Sequence, residues 1–252
     1  MSDRRVATED DGGVRLIAFD RPEVRNAFDV AMYRAVTEAL DGALGDDRIR
    51  AVVLTGRGTA FSAGQDLQEM AALAAGNAAP DAGSGFQGLM DTLVAFDKPM
   101  LAAVNGVGVG LGCTLLGHVD LVMIDERARL RAPFAELGVP PEAASSWLFP
   151  ARMGWQRASL MLLASEWIDA SQAVEAGLAL KVCPEGTVLE ETMALASRIA
   201  SCAPGATREI KRLMMASHQS DIGAARVREE AAFAALFSDS ASGSQLTAGL
   251  DR

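Results

Sequence analysis

Short apolar runs alternate with segments of mixed polarity through the first half of the chain. The apolar, β-branched runs predict buried strands, at residues 14–20, 50–56, 99–106 and 119–124. The segments between them have apolar residues at helical spacing and predict helices, at residues 31–44 and 86–96 and in a small-residue stretch ending near Gly117. Asp29 precedes the first helix and is expected to cap it, because its carboxylate can accept a free N–H of the first turn.

After residue 150 the pattern becomes mainly helical. It predicts helices over residues 157–165 and 169–177, a strand over residues 178–183, and almost continuous helix over residues 187–237. Strands that alternate with helices, followed by helices alone, are typical of an α/β core with a helical C-terminal part.

Three segments between these elements are rich in glycine or small residues. Residues 56–65 (GRGTAFSAGQ) predict a tight turn, after which Asp66 and Glu69 have the spacing of a capping box. Residues 76–85 (GNAAPDAGSG) predict a loop and are the best candidate for a mobile lid. The string GVGVGLG lacks the dinucleotide-binding spacing, since Leu111 and Cys113 replace the required third glycine, so we do not expect an NAD enzyme.

Composition and charge narrow the classes of partner. Of the 252 residues, 50% are hydrophobic and 22% are charged, which is typical of a folded chain with a large core. The net charge of −10 argues against a nucleic-acid surface. Cys113, Cys183 and Cys202 are too far apart to predict a metal site or a disulfide framework, so we expect reduced thiols and no metal.

Two stretches bear on location. Residues 1–13 have no apolar segment, so no signal peptide is expected. The most apolar region, residues 99–124, is interrupted by Asn105, His118 and Asp120, whereas a membrane span needs about 18 consecutive apolar residues. We therefore expect a cytoplasmic protein without a membrane partner.

Five motifs cover nearly the whole chain in one order: RPEVRNAF (21–28), AFSAGQDL (60–67), KPMLAAVNGVGVGLGCTLLGHVDLV (98–122), IDASQAVEAGLALKV (168–182) and FAALFSD (233–239). Together they resemble the crotonase superfamily, also called the enoyl-CoA hydratase/isomerase family. The resemblance implies an α/β fold, a ClpP-like spiral of ββα units with a helical C-terminal trimerisation region. We expect the spiral core over residues 1–195 and the helical region over residues 196–252. The resemblance also implies a homotrimer or hexamer and an acyl-CoA thioester substrate, with no cofactor beyond the substrate's own coenzyme A.

The chemistry implied by this resemblance is stabilisation of a thioester enolate by two backbone N–H groups. By the family's motifs these belong to Gln65 and Leu111. Aimed donors in a dry site stabilise an oxyanion strongly, and neighbouring glycines let the backbone approach the carbonyl. The second position is often glycine in the family, so the side chain of Leu111 is expected to narrow the acyl pocket.

The same resemblance implies a binding site for the coenzyme A moiety. Arg25 resembles the family's cation near the phosphates, and its alternative is a solvated loop arginine. Ala63, Asp66 and Leu67 lie where the family's backbone contacts adenine and pantetheine, and Ala27 belongs to the same set. Asp66 is expected to cap a helix rather than to take part in the chemistry.

The two glutamates of the family's hydratases are absent from their motif positions. Alignment with those motifs puts Thr114 at the first position and Phe134 at the second. Neither side chain has an acid/base group that works near neutral pH. Efficient hydration by two carboxylates is therefore not expected.

One carboxylate remains in the stretch GVPPEAASSW (138–147), at Glu142. The surrounding PFAELGVPPEAASSWLFP resembles the family's Δ3,Δ2-enoyl-CoA isomerases, some of which carry their single acid/base carboxylate there. Apolar neighbours would desolvate Glu142 and raise its pKa. The alternative is an exposed glutamate at a helix start. Glu136, the nearest rival, is predicted to be a surface or salt-bridged residue.

These observations predict an enoyl-CoA isomerase that uses Glu142 as its proton shuttle. Two alternatives stay open: a non-catalytic acyl-CoA-binding protein, and another enolate reaction such as weak hydration, thioester hydrolysis or decarboxylation. Ser145 and Ser146 lack the frame of a nucleophilic serine. We expect His118 to be packed in the core and His218 to lie on the surface.

Overall fold

The computed structural model describes residues 5–66, 68–69 and 82–238. Its strands are β1 (Val6–Asp11), β2 (Val14–Phe19), β3 (Ala51–Gly56), β4 (Ala60–Ser62), β5 (Met100–Val104), β6 (Val107–Val109), β7 (Leu121–Asp125), β8 (Arg129–Arg131), β9 (Ile168–Asp169) and β10 (Lys181–Cys183). Its α-helices are α1 (Val30–Leu44), α2 (Ala82–Ala95), α3 (Leu111–Thr114), α4 (Phe134–Leu137), α5 (Ser145–Leu163), α6 (Ala170–Glu175), α7 (Val188–Ala200), α8 (Pro204–Ala216) and α9 (Gln219–Ser238). None of these helices combines the length and apolar character that crossing a membrane requires.

The strands form two sheets, and along most of the chain a strand of one sheet is followed by a strand of the other. One sheet has the order β1-β2-β3-β5-β7-β10, with β1 antiparallel to β2 and the other neighbours parallel. The other has the order β4-β6-β8-β9, with β9 antiparallel to β8. Each of β3, β5 and β7 is followed by a short strand of the second sheet. β3, β5 and β7 pair in parallel in the first sheet, and the short strands β4, β6 and β8 pair in parallel in the second. This repeat is a spiral of ββα units.

The central strands of the six-stranded sheet are buried on both faces, which explains their continuous apolar runs. Val52 and Leu54 of β3 point into the main core. Their neighbours Ala51 and Val53 face the opposite side, where they pack with residues of α7 such as Ala196. The alternation follows from the two-residue period of a strand.

The predicted strands over residues 14–20, 50–56, 99–106 and 119–124 are confirmed as β2, β3, β5 and β7. The prediction of a turn over residues 56–65 missed β4, and β1, β6, β8 and β9 were also missed. These strands are short or polar, so they lack a long apolar run. The lid predicted at residues 76–85 lies partly outside the described residues, and from residue 82 onward the chain is helical in α2.

The helix starts show one confirmed cap and one correction. Asp29 caps α1, since its Oδ1 accepts the N–H of Met32 at 2.7 Å. The capping box predicted for Asp66 and Glu69 forms only in part. Oδ1 of Asp66 accepts the N–H of Gln68 at 3.0 Å, as expected of a cap, but both carboxylate oxygens of Glu69 lie 3.1 Å from the N–H of Val30 in α1. Glu69 therefore supports a distant helix instead of its own.

The C-terminal part is helical, as predicted, but the helix over residues 187–237 is interrupted. Breaks at residues 201–203 and 217–218 separate α7, α8 and α9. α9 packs against α5, and a small apolar cluster joins Ala144 and Leu148 to Ile222 and Ala225. The division at residue 195 falls within α7 and stays a prediction.

Candidate active site

Two glycine turns bring distant segments of the chain into contact. Gly64 has φ +87° and Gly110 has φ +52°, a left-handed region that side chains disfavour. A Cβ atom on Gly64 would lie 2.5 Å from the carbonyl oxygen of Val109 and 3.4 Å from the nitrogen of Leu111. Only glycine permits this close approach at position 64, and the positive φ favours glycine at position 110.

The residue after each glycine presents an unused N–H group. Within the described part of the chain, neither Gln65 nor Leu111 donates its backbone N–H to a protein acceptor. Phe28 pairs beside Gln65, but its bonds run to Gly64 and Asp66. Leu111 is the first residue of α3, where N–H groups have no partner inside the helix. Two free donors on adjacent turns can therefore hold an anionic oxygen.

Helix α3 joins this pair of donors to the carboxyl group of Glu142. Thr114 lies three residues after Leu111, which places the two residues on one side of the helix, with Cβ atoms about 5–6 Å apart. The hydroxyl of Thr114 donates to Oε1 of Glu142 at 2.8 Å. The same hydroxyl lies 3.3 Å from the carbonyl oxygen of Gly110.

Glu142 has the electrostatic properties of a group that exchanges protons near neutral pH. The residue keeps a part of its surface accessible to solvent. Burial of its carboxyl group raises the pKa from 4.5 to about 7, and the charge of Glu229 adds to this effect. The hydrogen bond from Thr114 acts in the opposite direction, because it stabilises the ionised form. Burial is therefore the dominant cause of the raised pKa.

The loop that carries Glu142 has an unusual backbone. Ala143 and Ala144 have φ values of +58° and +56°, which costs each residue roughly 1–2 kcal/mol. His118 holds one side of this loop, since its Nε2–H donates to the carbonyl oxygen of Ala143 at 2.8 Å. Burial lowers the pKa of His118 to about 4, so the ring is neutral at neutral pH. His118 is thus a buried core residue, as predicted.

The residues predicted to contact coenzyme A lie together beside the Gly64 turn. The N–H of Ala63 donates to the carbonyl oxygen of Arg25 at 2.9 Å. The guanidinium of Arg21 joins the carbonyl oxygen of Ala27 at 2.6 Å to the carboxylate of Asp66 at 3.1 Å. The side chain of Arg25 is exposed, which fits both a phosphate-binding cation and a solvated loop arginine, so its role stays a prediction. Leu67 lies outside the described residues.

Comparison with known proteins decides the family. The family model described as enoyl-CoA hydratase/isomerase matches residues 9–250. The chain belongs to the enoyl-CoA hydratase/isomerase family. The resemblance and the spiral fold class predicted from the motifs are both confirmed.

Relatives within this family carry different activities in their names. The chain is 34% identical over 226 residues to enoyl-CoA delta isomerase 2 of Rattus norvegicus, covering 89% of this chain but only 58% of that protein. It is 35% identical to 2,3-dehydroadipyl-CoA hydratase of Escherichia coli K12, covering 88% of this chain and 86% of the relative. The crystal structure of an enoyl-CoA hydratase/isomerase from Pseudoalteromonas atlantica T6c superimposes with a TM-score of 0.90 at 31% identity, covering 98% and 95% of the two chains.

The two positions of the hydratase glutamates have different surroundings in this family member. Thr114 is fully buried and contacts Glu142, whereas Phe134 is part of the main apolar core. Glu136 forms an ion pair with Arg131 and its side chain is 53% exposed, which confirms the predicted salt bridge. Glu142 is the acid that this region places against α3.

Sequence reasoning missed two residues around Glu142. Tyr33 of α1 is buried between the rings of Phe28 and Phe86, at centroid distances of 5.2 and 5.9 Å. Burial raises the pKa of Tyr33, and the charge of Glu142 adds to this shift. Glu229 of α9 is the second missed residue. Tyr33 and Glu229 lie on helices far from Glu142 in the chain. Only Tyr33 could have been singled out from the sequence, because it is the single tyrosine.

A separate cavity of about 430 Å³ lies at the carboxyl ends of the central strands. Thr55, Asn105, Asp125 and Gly186 are among its lining residues, whereas Glu142 and the two free N–H groups are not. Size alone does not make this cavity the active site. Of its two lining carboxylates, Glu9 is exposed on β1, and Asp125 is already bonded to the N–H groups of Arg127 and Gly186. No cluster of metal-binding side chains occurs among residues 5–66, 68–69 and 82–238.

Proposed function

We propose that this protein is a Δ3,Δ2-enoyl-CoA isomerase in which Glu142 is the single acid/base group. The observation that carries the proposal is the contact of the Glu142 carboxyl group with the hydroxyl of Thr114, three residues from the N–H of Leu111 at the start of α3. Burial, which raises the pKa of this carboxyl group to about 7, supports the same role. A general base works best when its pKa lies near the working pH. Similarity alone does not choose the reaction, because relatives named isomerase and hydratase are equally close.

The reaction is a 1,3-proton shift. The carboxylate of Glu142 removes a proton from C2 of the 3-enoyl thioester, and the electron pair of that C–H bond forms a double bond between C1 and C2. The carbonyl oxygen becomes an oxyanion, bound by the N–H groups of Gln65 and Leu111. Glu142 then returns the proton to C4, where the electron pair of the C3–C4 double bond forms the new C–H bond. The C1–C2 electron pair becomes the double bond between C2 and C3, and the oxyanion re-forms the carbonyl.

Thr114 suits both protonation states of Glu142. With the carboxylate ionised, the hydroxyl donates to Oε1 at 2.8 Å. With the carboxyl protonated, the hydroxyl oxygen can accept a hydrogen bond from the O–H of Glu142. The hydroxyl then donates its own hydrogen to the carbonyl oxygen of Gly110, 3.3 Å away. The hydrogen-bond network therefore adapts by rotating one hydroxyl while the backbone stays in place.

One carboxyl group is sufficient for isomerisation, but efficient hydration in this family uses two. Phe134 has no proton to exchange, and Thr114 is a poor base. Since Glu142 removes and returns the same proton, the proposed reaction needs no cofactor beyond the coenzyme A of the substrate. A cytoplasmic location stays a prediction.

We also propose assembly into a homotrimer or hexamer through the helical C-terminal part. Helix α8 exposes Ile210, Leu213 and Met214, with 58%, 58% and 65% of their surface accessible. An apolar patch of this kind is typical of a protein–protein interface. Light scattering of the purified protein tests the proposal, and a monomer at micromolar concentration would contradict it.

Turnover of 3-hexenoyl-CoA tests the isomerase proposal. We expect wild type to form the conjugated 2-enoyl thioester and Glu142→Gln to lose this activity while it still binds the thioester. Glu136→Gln is the matched control, because this neighbouring glutamate forms a surface ion pair, and it should keep wild-type turnover.

The remaining outcomes separate the alternatives. If wild type binds the thioester but neither isomerises it nor exchanges its C2 protons with deuterium oxide, the chain is an acyl-CoA-binding protein for this ligand. Formation of the 3-hydroxy thioester, the free acid or a decarboxylated product would instead identify another enolate reaction. Product analysis by NMR distinguishes these cases.

A further inference from the structure

Glu229 connects the C-terminal helix to the loop that carries Glu142. Its Oε2 accepts the N–H of Ala144 at 2.7 Å, and its Oε1 accepts the N–H of Ser146 at 2.9 Å. The residue is only 7% exposed, so both bonds are shielded from water. One carboxylate on α9 therefore binds two backbone donors at the start of α5.

The local sequence provides no substitute for this contact. The N-cap position of α5 is Ala144, which has no side-chain acceptor. The hydroxyl of Ser145 donates to the carbonyl oxygen of Glu142, so it does not accept the N–H group of Ala144 or Ser146. Without Glu229, the N–H groups of Ala144 and Ser146 would lose their acceptor, and burial makes such a loss costly.

We propose that Glu229 is a positioning residue for the reaction: it holds the loop of Glu142 in its left-handed conformation and thereby makes activity depend on the docking of α9. The inference rests on the proposed role of Glu142 as the acid/base group. Glu142 is two residues from Ala144, so a change in that peptide moves its carboxyl group relative to Leu111. An error of this kind lowers the rate because the reacting atoms lose alignment.

The carboxylate of Glu229 also acts on Glu142 through its charge. It raises the pKa of Glu142, and burial raises the pKa of Glu229 itself. The hydroxyl of Thr114 contacts Glu142, the charge of Glu142 acts on Tyr33, and the neutral ring of His118 bonds to the next residue, Ala143. Beside Glu229, the charge of Arg228 lowers the pKa of that carboxyl group. Loss of the negative charge should therefore lower the pKa of Glu142.

Two variants separate the geometric role from the charge. Glu229→Ala removes both acceptors, and we expect kcat for 3-hexenoyl-CoA to fall by at least about tenfold with a smaller change in KM. Glu229→Gln keeps the side-chain volume and one acceptor, so its kcat should fall less. In both, the acidic limb of the pH profile of kcat/KM should move to lower pH, which a merely structural residue would not cause. Glu230→Ala, on the exposed side of α9, is the matched control and should match wild type.

Wild-type kcat and an unmoved pH profile in Glu229→Ala would overturn the inference. If Glu229→Ala does not fold, the same two readouts on Glu229→Gln decide. If wild type itself has no isomerase activity, the proposed function has failed, and the carboxyl ¹³C resonance of Glu142 provides the test. That resonance should titrate at lower pH in Glu229→Gln than in wild type, and an unchanged titration would overturn the inference independently of activity.

Discussion

Replacing Glu142 with glutamine should stabilise the folded protein while it abolishes proton transfer. Glutamine keeps the size of the side chain and an oxygen that accepts the hydrogen bond of Thr114, but it cannot ionise. In wild type, burial raises the pKa of Glu142 from 4.5 to about 7. The folded state therefore resists an ionisation that the unfolded chain undergoes freely.

The size of this effect follows from the pKa difference. Because the folded pKa is the higher one, the unfolded state releases the proton first, and the wild type loses stability as the pH rises from 4.5 to about 7. At about 1.4 kcal/mol for each pKa unit, the loss is about 1 kcal/mol at pH 5 and at most about 3 kcal/mol at pH 8. Solvent access to part of Glu142 makes the larger value an upper limit.

Urea unfolding of wild type and Glu142→Gln at pH 5 and pH 8 measures this difference. The variant should be the more stable protein at pH 8, and its advantage should shrink at pH 5. Glu136→Gln serves as the control, since loss of its surface ion pair with Arg131 should change the free energy of unfolding by less than about 1 kcal/mol at pH 8. A variant that is less stable than wild type at pH 8, or an advantage that does not depend on pH, would refute the burial of the Glu142 carboxyl group.

Two further predictions concern the groups that hold Glu142. Thr114→Val removes the hydrogen bond that lowers the pKa of Glu142, so the acidic limb of the kcat/KM profile should move to higher pH, whereas Thr114→Ser keeps the hydroxyl and should leave the limb in place. The second prediction concerns His118, whose pKa falls from 6.5 to about 4 in the folded state. Since the unfolded state then binds the proton more readily, His118 should cost the protein about 2 kcal/mol of stability between pH 7 and pH 5. Glu142 acts in the opposite direction over the same range, so the test is the difference between the two proteins. Urea unfolding should show that acidification from pH 7 to pH 5 is less favourable to the stability of wild type than to that of His118→Gln, and an equal change in both would contradict the neutral, buried ring.

Much of the fold could be predicted because buried parallel strands have a simple signature. The runs that became β3 and β5 are buried at every position and almost entirely apolar, since both faces of the sheet are covered there. The strands of the second sheet have two or three residues each, so no periodicity could be detected in them. The cap of α1 was only half predicted, because Glu69 reaches it from a distant segment.

The residues of the site that belong to a local motif could be predicted from the sequence. The residues that only the fold brings together could not. Gln65 and Leu111 follow glycines in recognisable motifs, and Glu142 is the single carboxylate of its stretch. Thr114 looked only like a missing glutamate, although its hydroxyl is the partner of Glu142. Glu229 lies 85 residues from Ala144, and no local pattern can reveal a contact between a helix and a loop so far apart in the chain.

Strand β1 has a consequence for how copies of this protein can meet. It is an outer strand of the six-stranded sheet, and its residues from Thr8 to Asp11 are exposed. Asp10 is paired with Arg15 of β2, but Glu9 and Asp11 leave this edge acidic, so the edge strand of a second molecule would bring like charges together. The border of the sheet is thereby protected against strand addition and the aggregation that follows from it. The proposed assembly uses the helices instead, whose backbone groups are paired within each helix.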